Sequence, residues 1–71
     1  MTQKQRLLRL LSDGAWHHFE ELQRIGWRYS ARLHDLKNDG FDHEIKKDGR
    51  VVYYRFTEDT VNKLELIKNF L

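Results

Sequence analysis

The stretch "GWRYSARLHDLKNDGF", residues 26–41, decides how the chain is read. Tyr29, Leu33 and Leu36 recur at i, i+4 and i+7, the spacing of one apolar helix face. Gly40 stands just past the last periodic residue, where a C-terminal glycine ends a helix. The spacing predicts a helix that starts at or just after Gly26 and stops before Gly40. Its other face carries Arg, Ser, Arg, His and Lys. Such a face is either solvated or turned to a partner, and the flanking segments bear on the choice.

Upstream, Thr2-Gln3-Lys4-Gln5 fits a capping box, with Thr2 as N-cap and Gln5 three residues on. Leu7, Leu8, Leu10 and Leu11 supply a helical stripe that Asp13-Gly14 closes. Ala15-Trp16-His17 reads as a short extended stretch, and Trp16 and Phe19 are expected in the core. Phe19, Leu22 and Ile25 predict a second helix broken by Gly26. Glu20 and Glu21 in its first turn suit the positive end of the helix dipole. Two helices joined by a tight glycine-containing connection have the outline of a helix-turn-helix.

Downstream, "FDHEIKKDGRVVYYRF", residues 41–56, carries a hairpin signal at Asp48-Gly49, because a type I′ turn needs positive φ at both central residues. That turn sets Lys47 opposite Arg50, Ile45 opposite Val52, His43 opposite Tyr54 and Phe41 opposite Phe56. The last three pairs share one face by the period of two. The other face then pairs Asp42 with Arg55 and Glu44 with Tyr53. Thr57 can cap a last helix from about Glu58, with Val61, Leu64, Ile67 and Leu71 as its stripe and Leu66 and Phe70 beside it. That surface completes the core or contacts a second chain.

The order is therefore helix, short strand, helix, helix, hairpin, helix. It predicts an α+β fold of the winged helix-turn-helix type: a three-helix core, a two-stranded β-hairpin wing and an additional C-terminal helix. Residues 1–57 form the winged unit, and residues 58–71 a helix that packs on it or dimerises.

Composition narrows the function. A chain of 71 residues is read as one domain. A domain this small buries only about 60% of the surface its unfolded chain exposes, leaving little room for a catalytic pocket. There is no cysteine, so no disulfide or thiolate metal site. No apolar run approaches the roughly 18 residues of a membrane span. The opening "MTQKQRLLRLLSDG" has charges spread through its apolar residues, unlike a signal peptide, so a cytoplasmic home is expected. The net charge of +2 and pI of about 9.1 lean weakly towards nucleic acid, so the spatial clustering of the cations matters more than their number.

"SARLHDLKNDGF", followed by "EI" and then "YYRF", resembles the small helix-turn-helix proteins common in phages and prophages. Their third helix tends to read Ala-Arg-Ile/Leu, two residues, Leu-Arg/Lys, two residues, Gly-Tyr/Phe, then Ile in the first wing strand. Ala31-Arg32-Leu33, Leu36-Lys37, Gly40-Phe41 and Ile45 match, and Tyr54-Arg55-Phe56 is similar to the family's last strand. The spacing is more loosely similar to the DNA-binding domain of the biotin-operon repressor. The resemblance covers roughly residues 3–57 and omits the last helix. It implies a DNA-binding regulator, repressor-like or excisionase-like.

In a helix-turn-helix the N-terminal residues of the third helix meet base edges in the major groove. With Tyr29, Leu33 and Leu36 fixed on the core, the candidate groove residues are Trp27, Arg28, Ser30, Ala31 and His34. Arg28 can take guanine O6 and N7 bidentately, and Ala31 is small enough to lie against a thymine methyl. Arg32 and Lys37 lie nearer the flanks and suit phosphates, which position without specifying. At the wing tip, Lys46, Lys47 and Arg50 suit the backbone beside an adjacent minor groove. Each has a plainer rival: Arg32 pairs with Asp35 or Asp39, and lysines beside a hairpin turn aid solubility.

No cofactor is expected. His17, His18, Glu20, Glu21, His34 and His43 do not fall at a metal-ligand spacing. Ser30, His34 and Asp35 share one helix with no oxyanion loop, so no nucleophile geometry arises and no enzyme activity is expected. The expectation is a binder of double-stranded DNA, with a homodimer through the last helix as an accessory possibility. The alternative is a winged-helix protein-interaction module without DNA binding, favoured by the modest charge and by Asp35, Asp39, Asp42, Glu44 and Asp48 on the supposed DNA face. RNA binding by the same basic surface is a third, lesser reading.

Overall fold

The computed structural model describes residues 2–67. Its elements are α1 (Gln3–Leu11), β1 (His17–His18), α2 (Phe19–Ile25), α3 (Tyr29–Asn38), β2 (His43–Asp48), β3 (Val51–Phe56) and α4 (Glu58–Ile67). The strands form one antiparallel sheet in the order β1-β3-β2. Among the described residues the architecture is α+β, with four helices and this sheet. None of those helices is long and apolar enough to cross a membrane.

Local chemistry accounts for the helix ends. At α1 the Gln5 amide donates to Thr2 Oγ1 at 3.2 Å, and the Thr2 amide donates to Gln5 Oε1 at 3.0 Å, closing the expected capping box. A second box at α2 was not legible, because histidine is an unusual N-cap. There the Glu20 amide donates to His18 Nδ1 and the His18 amide donates to Glu21 Oε2. At the end of α3 the Gly40 amide donates to the Lys37 carbonyl and the Phe41 amide to the Leu36 carbonyl. That is a Schellman motif, which needs Gly40 in the left-handed region, at φ 96°.

The hairpin register differs from the expected one by a one-residue displacement of the turn. His43 pairs with Phe56, Glu44 with Arg55, Ile45 with Tyr54, Lys46 with Tyr53, Lys47 with Val52 and Asp48 with Val51. The turn residues are therefore Gly49 and Arg50. Gly49 alone has positive φ, 63°, and no described non-glycine residue does. A type I′ turn would force Asp48 into the left-handed region. A turn with glycine first and a negative φ second follows the II′ pattern and needs only Gly49 there. Side-chain parity is unchanged, so the expected face survives while every partner shifts. The opposite-charge pair is Glu44 with Arg55, at 3.2 Å, and not Asp42 with Arg55.

Leu7, Leu8, Leu11, Leu22, Leu33, Leu36, Phe56 and Leu64 form the buried core. Leu10, Ile25, Tyr29, Phe41, Tyr54, Val61 and Ile67 pack against it. Trp16 and Phe19 belong to neither set, contrary to expectation, and both are only half-buried. The last helix is chiefly a core element: Leu64 is buried and Val61 and Ile67 lie on the cluster. Leu66 is exposed. Phe70 and Leu71 lie outside the described residues.

Thr60 is the buried polar residue that ties α4 to the hairpin. Its Oγ1 accepts from the Asp42 amide at 3.0 Å and from Thr57 Oγ1 at 2.9 Å. Thr57 Oγ1 in turn accepts from the Thr60 amide, giving the N-cap expected of Thr57. Thr60→Val keeps the shape and removes the acceptor. It is expected to cost about 1–3 kcal/mol in urea unfolding, because the Asp42 amide loses its partner. A loss within experimental error of zero would show that this amide is satisfied otherwise.

Candidate nucleic-acid interface

Helix α3 is held by Leu33 and Leu36, both buried, and by Tyr29, whose ring meets Tyr54 edge-on at 5.7 Å. Those are the three expected anchors. Ser30, His34 and Lys37 are exposed, and Ala31 is half-buried. Trp27 and Arg28, expected within the third helix, are not helical. They form the turn before α3, where the Tyr29 amide donates to the Gly26 carbonyl and Arg28 stands as N-cap. Trp27 is 88% exposed, the most open large apolar residue described.

Two of the acids expected on this face already have partners. Arg32 Nη1 lies 3.0 Å from Asp35 Oδ2 within α3. Lys4 Nζ lies 2.7 Å from Asp39 Oδ2, joining α1 to the end of α3. Arg32 is thus engaged in the ion pair its position first suggested as a rival role. Among the described residues Arg28, Lys37, Lys47 and Arg50 make no ion pair.

The exposed side of α3 and the hairpin share one open cleft of about 300 Å³. It is lined by Ser30, His34 and Lys37 from the helix and by His43, Ile45 and Tyr54 from the strands. His43 Nδ1 is buried without a hydrogen-bond partner. Burial lowers the pKa of His43, with nearby Lys37 adding and Asp42 opposing, so the ring is held neutral. Burial also pushes the Tyr54 hydroxyl up to about 12, aided by Tyr29, and it stays protonated.

The wing cations divide between the two sheet faces. Lys47 shares the parity of Ile45, on the cleft side. Lys46 lies on the opposite side, with Nζ 4.8 Å from the centre of the Trp16 ring and 5.0 Å from that of Tyr53. Arg55 lies over Trp16 at 4.4 Å. This cation–π cluster explains why Trp16 is not in the core. The polar alternation Glu44, Lys46, Tyr53, Arg55 was the available signal, since an aromatic beside such a face meets cations.

A histidine network that sequence reasoning left unassigned braces the start of α2. His17 Nε2 lies 2.9 Å from Asp13 Oδ1, and its Nδ1 lies 3.2 Å from Glu21 Oε1. Carboxylates only accept, so both contacts are hydrogen bonds together only in the imidazolium, where both ring nitrogens donate. Desolvation opposes this charge, but the hydrogen bonds and charges of Asp13 and Glu21 outweigh it, and the His17 pKa is raised above 6.5. Both carboxyls are correspondingly lowered, Asp13 against its own desolvation and Glu21 chiefly through its bond to His17.

The sign of the linkage follows. A raised histidine contributes stability that is complete below about 6.5 and lost as pH rises through its folded pKa. The lowered carboxyls contribute stability above their ordinary values that is lost in acid. The network therefore stabilises most at mildly acid pH. Thermal unfolding of the protein and of His17→Gln, compared from about pH 5 to 8, is expected to show the difference shrinking as pH rises. A constant difference would remove His17 as the titrating group.

Among the described residues no three His, Asp or Glu side chains are grouped to hold a metal ion. No protein-family model, curated protein or solved structure matches this chain.

Proposed function

We propose that the chain is a winged helix-turn-helix protein that binds double-stranded DNA as a regulator of the repressor or excisionase kind, without catalysis. α3 is the recognition helix and β2–β3 the wing. One observation carries the reading: four cations that make no ion pair among the described residues, Arg28, Lys37, Lys47 and Arg50, belong to α3, its preceding turn and the hairpin, while Asp35 and Asp39 are neutralised within the fold. Phosphates supply the counter-charge such a set lacks. Arg28 and Ser30 meet base edges, with Ala31 and His34 alongside, and Lys37, Lys47 and Arg50 meet the backbone. Lys46 and Arg32 drop out of the contact set, because each is committed within the fold.

The protein-partner reading keeps one specific support, the exposure of Trp27, since an open aromatic is common at protein interfaces. A duplex selected from random sequence distinguishes the two. On that duplex Arg28→Ala is expected to weaken binding by about 1–3 kcal/mol and to relax sequence preference at one base pair. Equal affinity on all sequences would take Arg28 out of the groove. Failure to select any duplex would favour a protein partner.

A further inference from the structure

We propose that the outer edge of β2 is a dimer interface, on which a second copy of this chain adds its own β2 in antiparallel register and extends the sheet to six strands. The order β1-β3-β2 leaves β2 at the edge. Among the described residues no strand lies beyond it, and alternate residues along its six turn their backbone donors and acceptors outward, which is a template for another strand. Ile45, at the middle of this edge, is 54% exposed.

The side chains choose the occupant. A two-fold axis perpendicular to the sheet keeps each face on its own side, so residues of like parity meet. With Ile45 opposite its own copy on the axis, Glu44 falls opposite Lys46 of the second copy, and Lys46 opposite its Glu44. Two opposite-charge pairs then flank an apolar pair, each the kind of cross-strand contact that stabilises a ladder. His43 meets Lys47, a pairing without repulsion because burial holds His43 neutral. Asp48 would meet Asp42, and this like-charge pair ends the ladder at Lys47. Lysines on an edge strand ordinarily discourage pairing. In this register Lys46, whose ammonium lies over Trp16 and Tyr53 of its own chain, gains a carboxylate from the second copy, shared there with Arg55, so the edge favours its own copy over other strands.

The interface differs from the one the sequence pointed to. The last helix spends Leu64, Val61 and Ile67 on the core, and Leu66 is its exposed apolar residue among those described. A dimer through β2 leaves α4 in place and sets both copies of α3 on the same side of one sheet. The inference does not rest on the DNA reading and is tested without DNA.

The test is sedimentation of the full chain and of the Glu44→Lys and Lys46→Glu variants, from about 10 μM to 1 mM. The unaltered chain is expected to dimerise. Each variant alone places like charges across the axis and is expected to dimerise at least about tenfold more weakly. Mixed together, the two variants restore both opposite-charge pairs and are expected to form a heterodimer. Mixing repairs no contact within either chain, so a purely structural effect of Glu44 or Lys46 would not be rescued.

A second measurement holds if a variant fails to fold. The chain has no cysteine, so an Ile45→Cys variant oxidised under mild conditions should give a covalent dimer, and a Leu66→Cys variant should not. An unaltered chain that stays monomeric at the highest concentration would overturn the proposal. So would a mixture no more associated than its components, or cross-linking through Leu66→Cys in place of Ile45→Cys.

Discussion

Phe56→Ala is expected to unfold a large part of the population at moderate temperature. Phe56 is 1% exposed and is the largest fully buried side chain among the described residues. It ends β3 opposite His43 and immediately precedes Thr57, so it lies where sheet and last helix meet in the core. Truncating a buried phenylalanine costs about 3–5 kcal/mol, from lost transfer energy plus the cavity left behind. A chain of this length has a total stability of roughly 4–11 kcal/mol. The expected fall in Tm is roughly 12 °C or more. Trp27→Ala is the control: its side chain is 88% exposed, and such surface changes stay within about 0.5 kcal/mol. A Phe56→Ala protein within a few degrees of the original would mean that the core is not organised around this residue.

The second large effect concerns charge. Replacing Arg28, Lys37, Lys47 and Arg50 together by alanine removes the four cations proposed to face DNA from α3, its turn and the hairpin. Each phosphate neutralised contributes about 0.9 to the slope of log affinity against log salt. With Lys37, Lys47 and Arg50 on phosphates and Arg28 on a base edge, raising salt from about 50 to 200 mM costs the unaltered protein roughly 40-fold more affinity than the variant. Lys46→Ala should leave the slope unchanged, because its ammonium lies over Trp16 and Tyr53 on the other sheet face. An equal loss from Lys46→Ala would place the contact surface on the aromatic side of the sheet.

Much of the fold was legible because several local signals agreed. Tyr29, Leu33 and Leu36 gave the period of α3, and Gly40 its end. Thr2 with Gln5, and Thr57, gave two helix starts. The hairpin was placed correctly but its register was not. Asp48-Gly49 invites a turn with two left-handed residues, and the chain adopts one that needs only Gly49 there. Period-two parity survived that displacement, which is why the buried face was right while the partners were wrong.

Trp16 was misassigned because hydrophobicity does not fix on which side of a sheet a neighbouring residue packs. An indole can be satisfied by the stems and charges of Lys46 and Arg55 instead of a core. Thr60 was missed for the converse reason, a polar residue buried because its hydroxyl has two partners. In the candidate site, the open side of α3 that carries Ser30 and His34 followed from the helical period. Trp27 and Arg28 were placed in the helix although α3 begins only at Tyr29, with Arg28 as its N-cap. The engagement of Arg32 by Asp35 and of Lys46 by Trp16 depends on side-chain geometry that spacing alone does not supply.

The measurement that tests the central claim most directly is titration of a fluorescent random-sequence duplex with the unaltered protein at about 50 and 200 mM salt. The proposed interface predicts saturable binding at the lower salt that weakens steeply at the higher. No binding at about 50 mM salt, even at high protein concentration, would contradict it and make a protein the partner to seek.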